Sequence, residues 1–175
     1  IGHSLTFTKS DLLSFTHEQS GDLLSGELPK YSITFSLDNS DGRWDPNNPE
    51  GMAQYLSERQ KLTLRYGMDV NGTIEWIDGG VFYLSEWNAP PNGLEAQFVA
   101  RDVFEFLLSE NPQATGSKTL YEWIASAIPG DVRVSIDSSL TTISAAPTTT
   151  NTSAEIVQKC ANAGCCILRY DKSGF

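Results

Sequence analysis

The fold of this chain is constrained most by a series of short segments in which apolar and polar residues alternate. The segments start at Tyr31, Leu62, Thr73, Val81 and Leu94. Alternation with a period of two is typical of half-buried strands, and the Asn71-Gly72 pair is a strong signal for a two-residue hairpin turn. Asp78-Gly79-Gly80 and Asn92-Gly93 predict two more turns. About four or five antiparallel strands at this spacing indicate a closed or nearly closed β-barrel.

Helix signals replace strand signals from Asp102 onward. Asp102 is predicted to cap a short helix over residues 103–109. Two later helices are predicted from capping boxes, in which a Thr precedes a Glu by three residues. The boxes are Thr119 with Glu122 and Thr152 with Glu155. Pro129-Gly130 and Gly164 are expected to end these two helices.

The predicted fold class is therefore α+β, with a mainly antiparallel β-barrel-like domain first and the start of a smaller α+β module after it. A strand over residues 132–136 and a loop over residues 141–150 are expected between the helices of the module. The predicted domains are residues 1–112 and residues 113–175. The boundary is placed at about residues 110–117, where the pattern changes.

The last residues are expected to form only half of a hairpin. Residues 165–170 have the pattern of a buried strand, residues 171–174 that of a turn, and only Phe175 follows. A lone edge strand leaves a row of unpaired backbone groups, which folded proteins rarely tolerate. Ile1 is also not an initiator methionine. We therefore expect a piece of a longer polypeptide, or one that a neighbouring chain completes, and an incomplete second module.

The chain is acidic, and its charge is unevenly placed. The net charge is −10; residues 1–110 contain 17 acidic and 7 basic side chains, and residues 111–175 contain 5 of each. An acidic surface repels phosphate backbones and anionic headgroups, so binding to nucleic acid or to a membrane is disfavoured. No apolar run approaches the roughly 18 residues that a membrane-spanning helix needs.

No metal site or disulfide framework is predicted. The three cysteines, Cys160, Cys165 and Cys166, are an odd number with an adjacent pair, which favours buried thiols in a reducing compartment. The Asp-rich stretch over residues 38–45 resembles a calcium loop at first. When its glycine is aligned with the invariant glycine of an EF-hand, however, the first ligand position falls on Leu37 and the last on Asn48, so the motif fails. A less regular cation site with oxygen ligands in this stretch is kept as an alternative.

No catalytic residue or cofactor is predicted either. His3 and His17 lie outside any recognisable nucleophile motif, and no phosphate-binding glycine loop is present in the sequence. A repeated Glu-Trp pair, Glu75-Trp76 and Glu86-Trp87, allows a glycosidase with two carboxylates as one alternative. Alternation places each Glu and its neighbouring Trp on opposite faces of a strand. The tryptophans are therefore predicted to be core or interface anchors, and less favourably a platform for a sugar.

Four runs of residues, read in order, resemble a known family. They are residues 28–39 followed by 41–46, residues 55–62, residues 80–87 and residues 98–102. A later run, residues 153–161, and the final residues 170–175 match the helix and hairpin found further along such proteins. Across about residues 28–175, the chain is thus similar to the N-terminal part of bacteriophage or prophage tail-tip and baseplate hub proteins.

The resemblance implies a virion structural protein of the phage tail that is assembled in the bacterial cytoplasm. Such proteins form β-barrel hub domains that assemble as trimer or hexamer rings beneath the tail tube and contact other tail proteins. No enzymatic activity, cofactor, membrane or sequence-specific nucleic acid is implied. Under this hypothesis, Trp44, Trp76 and Trp87 are candidate interface anchors. The alternative hypothesis is a non-catalytic carbohydrate-binding module that presents exposed tryptophans to a glycan.

Overall fold

A computed structural model describes residues 4–21, 28–91, 93–105, 116–130, 132–145, 151–169 and residue 172. The strands are β1 (Leu12–Ser20), β2 (Lys30–Asp38), β3 (Lys61–Val70), β4 (Thr73–Asn88), β5 (Glu95–Arg101), β6 (Lys118–Thr119) and β7 (Ser144–Ala145). The helices with described bounds are α1 (Leu120–Ala127) and α2 (Ser153–Ala163), with 3-10 turns over Met52–Tyr55 and Ser138–Thr142. Residues 103–105 of the helix predicted after Asp102 are also helical, and Asp102 Oδ1 accepts the Phe104 backbone N–H at 3.0 Å. The chain is mostly antiparallel sheet, curled into a five-stranded half-barrel, which confirms the predicted α+β class with a barrel-like domain.

The main sheet has the strand order β1-β2-β5-β4-β3. Strands β2 and β5 are antiparallel, with Phe35 opposite Phe98. Strands β4 and β5 are also antiparallel, but their register shifts between Leu84 and Glu86. Beyond this bulge Trp87, rather than Glu86, lies opposite Phe98. The extra residue therefore turns Trp87 onto the face that carries the apolar core.

The structure corrects the predicted strands at two places. Strand β1 was not expected from its mixed sequence, yet it lies beside β2, and Ser14 Oγ is 2.7 Å from Ser36 Oγ. The predicted turn at residues 78–80 is absent, because β4 continues through it as one strand. A Cβ at Gly79 would lie 2.6 Å from Leu64 Cγ and 2.8 Å from Tyr66 Cε2. The glycine thus permits two side chains of β3 to cross β4, and it does not mark a turn.

The chain divides into two compact units, and each has its own core. The first contains residues 1–18, 31–62 and 82–101, and the second contains residues 19–30, 63–81 and 102–175. The core of the first consists of Ile33, Phe35, Leu37, Trp44, Phe82, Leu84, Ala96, Phe98 and Ala100. The predicted boundary near residue 112 lies outside the described residues, as do the turn residue Asn92 and residues 106–109 of the first predicted helix.

Asn39 organises the long connection between β2 and β3. Its side-chain Nδ2 donates to the Gly93 carbonyl at 3.0 Å, and its Oδ1 accepts the Trp44 backbone N–H at 2.8 Å. Its backbone N–H donates to the Leu94 carbonyl at 2.8 Å, and its own carbonyl accepts from Gly42 N–H at 2.9 Å. Asn39 is 2% exposed, so these bonds replace water that cannot reach the site.

Both capping boxes in the second unit are confirmed. Thr119 and Glu122 exchange hydrogen bonds at the start of α1, and Thr152 and Glu155 do so at the start of α2. The two helices share a core of Leu120, Trp123, Ile124, Ala127, Leu140, Ala154, Ile156, Val157 and Cys160. Trp123 Nε1 donates to the Ala145 carbonyl at 2.9 Å, so β7 is bound to the helical core.

Gly164 ends α2 as predicted, but for a different physical reason. Its φ is −87°, which any residue can adopt. A Cβ at Gly164 would clash with Leu140 Cδ2, so close packing is what excludes a side chain here. The left-handed residue is the next one, Cys165, with φ of 54°.

Two predicted strands of the second unit are not formed. Residues 133–137 and 166–169 have no regular secondary structure. Ile136, Cys166 and Leu168 instead pack against the helical core, while Ile167 is 61% exposed. In these two segments the alternation of apolar residues indicates which side chains face the core, although the backbone forms no strand. The expected loop over residues 141–150 contains part of a 3-10 turn and β7, and residues 146–150 lie outside the described residues, as does most of the predicted turn at 171–174.

The first capping box makes stability depend on pH. The hydrogen bond from the Thr119 backbone N–H holds the pKa of Glu122 below its ordinary value. A lowered carboxyl pKa stabilises the folded state above the unfolded pKa, and this contribution is lost as the pH falls through the folded pKa. In urea denaturation, wild type should therefore exceed Glu122→Gln in stability at pH 7, with the difference shrinking towards pH 3. A difference that stays constant over this range would contradict the assignment.

Candidate functional site

The structure places the three candidate tryptophans in three different environments. Trp44 is 2% exposed, Trp87 is 41% exposed and Trp76 is 62% exposed. Trp44 packs edge-on against Phe98, with ring centroids 5.1 Å apart, and Phe7 lies 6.0 Å away. A side chain covered by its own chain offers no surface to a partner, so Trp44 is a core residue rather than an interface anchor.

Trp87 is at the margin of the first unit's core. It lies opposite Phe98 on β5, which in turn lies opposite Phe35 on β2. The Phe35 and Phe98 rings stack with centroids 5.1 Å apart and an interplanar angle of 14°. Phe35, Phe98 and Trp87 therefore form a row of aromatic residues on the core face of the sheet. Trp87 is the last of the three, and its indole is only partly exposed.

The hairpin formed by β3 and β4 carries the densest group of exposed apolar side chains in the described residues. Tyr66, Met68, Ile74, Trp76 and Ile77 are between 42% and 63% exposed. The turn between the strands has positive φ at Asn71 (54°) and Gly72 (84°), as a two-residue primed turn requires. The hairpin predicted from Asn71-Gly72 is therefore confirmed, and its two faces can be assigned from alternation and contacts.

One face of the hairpin is apolar. It carries Leu64, Tyr66 and Met68 from β3 and Ile77 from β4, with the exposed Glu75 as its one charged side chain, and we call it the apolar face. Leu64 and Tyr66 lie across Gly79, which has no side chain to separate them from the strand. Met68 is 60% exposed and Ile77 is 63% exposed. Burial raises the pKa of the Tyr66 hydroxyl above its ordinary value.

The opposite face is of mixed character, and we call it the mixed face. Trp76 lies across Gly67, since a Cβ there would be 2.9 Å from Trp76 Cζ3 and 3.1 Å from Ile74 Cγ2. Beside them, Arg65 Nε is 3.3 Å from Asp78 Oδ1. The face thus combines a broad aromatic surface, one aliphatic side chain and an exposed ion pair.

The carboxylates proposed for a glycosidase are not organised as a pair. Glu86 accepts a hydrogen bond from Arg101 Nη2 at 3.0 Å, while Glu75 is exposed on the hairpin. Both lie on β4, eleven residues apart along the strand, and the partner that Glu86 engages is a guanidinium, not a second carboxylate. The half-buried His17 packs against Phe82, with ring centroids 5.5 Å apart.

In the acidic stretch at the end of β2 and after it, three carboxylates accept hydrogen bonds from nearby residues of the same chain. Asp38 accepts from Ser40, Asp41 from Arg43 and Asp45 from the backbone N–H of Asn47. The bonds from Ser40, led by its backbone N–H, lower the pKa of Asp38. In the described part of the chain, no three His, Cys, Asp or Glu side chains gather as a metal site would require.

The cysteines follow the predicted burial only in part. Cys160 is buried, Cys166 is half-buried against the helical core, Cys165 is exposed, and all three are free thiols. Burial raises the pKa of the Cys160 thiol, which keeps it in its unreactive protonated form.

Sequence reasoning did not find the two-faced hairpin surface. The alternation predicted residues 73–77 to be one strand of a closed or nearly closed barrel, in which half of the side chains would be buried. The available signal was Gly67, which lies across from Trp76 and permits the indole to lie over the backbone.

Comparisons with protein-family models, curated proteins and solved structures find no match to this chain. Among the described residues, no helix has the length and apolar character needed to cross a membrane.

Proposed function

We propose that this protein is a structural component of a phage or prophage tail, in the baseplate hub or tail-tip assembly. It acts by ring-forming self-association and by contacts to other tail proteins. The observation that carries this proposal is the apolar face of the hairpin. Contiguous exposed apolar surface is uncommon in monomeric proteins and typically marks a surface that a partner covers.

The composition of the apolar face supports an interface between proteins. Tyr66 and Met68 are residue types enriched in the centres of interfaces. Ile77 and Met68, both more than half exposed, would lose most of their contact with water on association. The half-barrel and the runs similar to tail hub proteins are compatible with this role.

The proposal is tested with a double variant of the apolar face, Met68→Ser with Ile77→Ser. If each side chain contributes about 2 kcal/mol at an interface, the two together contribute about 4 kcal/mol, and the double variant should raise the dissociation constant for self-association about 700-fold. Sedimentation velocity over a concentration series measures this as a shift from trimer or hexamer to monomer.

A second double variant provides the matched control. Leu94→Ser with Ile167→Ser also removes two exposed apolar side chains, 74% and 61% exposed, but neither residue belongs to β3 or β4. It should sediment as wild type does. If both double variants lose assembly equally, general surface hydrophobicity and not the apolar face drives association, and the assignment of this surface fails.

A further inference from the structure

The mixed face of the hairpin holds an aromatic ring in a fixed orientation. The six-membered ring of Trp76 lies across the backbone at Gly67, with Ile74 beside it. Any residue with a side chain at position 67 would push the indole away. The ring is therefore supported from below by its own hairpin, and Trp76 remains 62% exposed.

Polar groups surround this ring on the same face. Alternation places Arg65, Asp69 and Asp78 on the face that carries Trp76. Arg65 and Asp78 form an exposed ion pair at 3.3 Å, and Asp69 Oδ1 accepts the Gly72 backbone N–H at 2.8 Å. Planar charged side chains next to a flat aromatic ring offer hydrogen bonds in fixed directions around an apolar platform.

We infer that Trp76 is the stacking platform of a binding site for a neutral pyranose of a glycan. The C–H groups on one side of a pyranose ring pack on the electron-rich face of an indole, and its equatorial hydroxyls reach side chains at the rim. The Arg65 guanidinium donates to sugar oxygens, and the carboxylate of Asp78 accepts from sugar hydroxyls.

The negative charge of the hairpin favours neutral glycans over anionic ones. Residues 63–81 contain three carboxylates, Asp69, Glu75 and Asp78, and one guanidinium, Arg65. The whole chain has a net charge of −10. This field repels anionic sugars, so a neutral glycan fits better than a uronate or a phosphorylated polymer.

This site is independent of the proposed assembly role, because it uses the opposite face of the hairpin. By alternation the apolar face carries one carboxylate, Glu75, whereas the mixed face has Arg65, Asp69 and Asp78 around a single aromatic ring. A protein partner on the mixed face would have to cover the exposed Arg65–Asp78 pair. Such burial is costly unless the partner satisfies both charges.

The test is a fluorescence titration with chitotetraose and cellotetraose as neutral probes and tetragalacturonate as the anionic probe. We expect a neutral probe to bind wild type in the millimolar range or tighter. Trp76→Ala should weaken this binding at least about tenfold, and Trp76→Tyr should retain it within a few-fold. Tetragalacturonate should bind more weakly than the better neutral probe.

The matched control is Met68→Ser with Ile77→Ser on the apolar face, which should leave the affinity for the sugar unchanged. No change in fluorescence with either neutral probe, or equal binding by wild type and Trp76→Ala, would overturn the inference. Loss of self-association in Trp76→Ala without sugar binding by wild type would also overturn it, since Trp76 would then belong to the protein interface. These results are separable from failure of the assembly proposal, which would appear as monomeric wild-type protein.

Discussion

Replacing Trp44 with Ala is expected to lower the free energy of unfolding by about 3–5 kcal/mol. Trp44 is 2% exposed and packs edge-on against Phe98, with ring centroids 5.1 Å apart. Removal of the indole leaves a cavity between the sheet and the connection that follows β2. Urea denaturation followed by circular dichroism measures the loss.

Trp76→Ala is the matched control, since the same chemical change is made at a residue that is 62% exposed. It should lower the free energy of unfolding by less than about 1 kcal/mol. Equal losses at the two positions would contradict the division into a core tryptophan and a surface tryptophan.

Replacing Asn39 with Ala is expected to have the second large effect, a loss of about 2–4 kcal/mol in the free energy of unfolding. The substitution removes the partners of the Trp44 N–H and the Gly93 carbonyl, at 2.8 Å and 3.0 Å from the Asn39 side chain. Each buried polar group left without a partner costs about 1–3 kcal/mol. Hydrogen exchange should also show faster exchange of the Trp44 amide.

The control for Asn39 is Asn47→Ala in the same connection. Asn47 is exposed, and its backbone N–H, which the substitution preserves, donates to Asp45 Oδ1 at 2.8 Å. The free energy of unfolding of the Asn47→Ala variant should differ from that of wild type by no more than about 0.5 kcal/mol. A similar loss in both variants would mean that the connection tolerates no substitution anywhere, and the specific role of Asn39 would be wrong.

Local signals with a direct backbone mechanism were predictable from the sequence. The Asn71-Gly72 turn and both capping boxes formed as expected, because each depends on residues within a few positions of one another. The α+β class followed from the change of period near Asp102. These features do not require knowledge of what packs against them.

Features that depend on distant neighbours were not predictable. In the sequence, Gly79 looks like a turn signal and Gly164 like a helix stop. Each glycine is needed because a side chain distant in sequence approaches its backbone: Leu64 approaches Gly79, and Leu140 approaches Gly164. The bulge between Leu84 and Glu86 changes the face on which Trp87 lies. No residue in this part of the sequence predicts the bulge. Strand β1, none of whose residues is buried, is held by its neighbour β2 and has no strong pattern of its own.

The candidate site shows the same limit. The sequence supplied Trp44, Trp76 and Trp87 as an undivided group, because exposure depends on the tertiary structure. Burial then separated them into a core residue, a marginal residue and a surface residue. The exposure of Met68 and Ile77 on the apolar face was equally out of reach, since both fit the pattern of a buried strand.

Self-association is the central property proposed for this protein, and the mass of the wild-type chain in solution tests it most directly. Multi-angle light scattering behind size exclusion, repeated over a concentration series, gives that mass without a calibration by shape. We expect a trimer or a hexamer of the 19.2 kDa chain at the higher concentrations. A monomer at every concentration would contradict it.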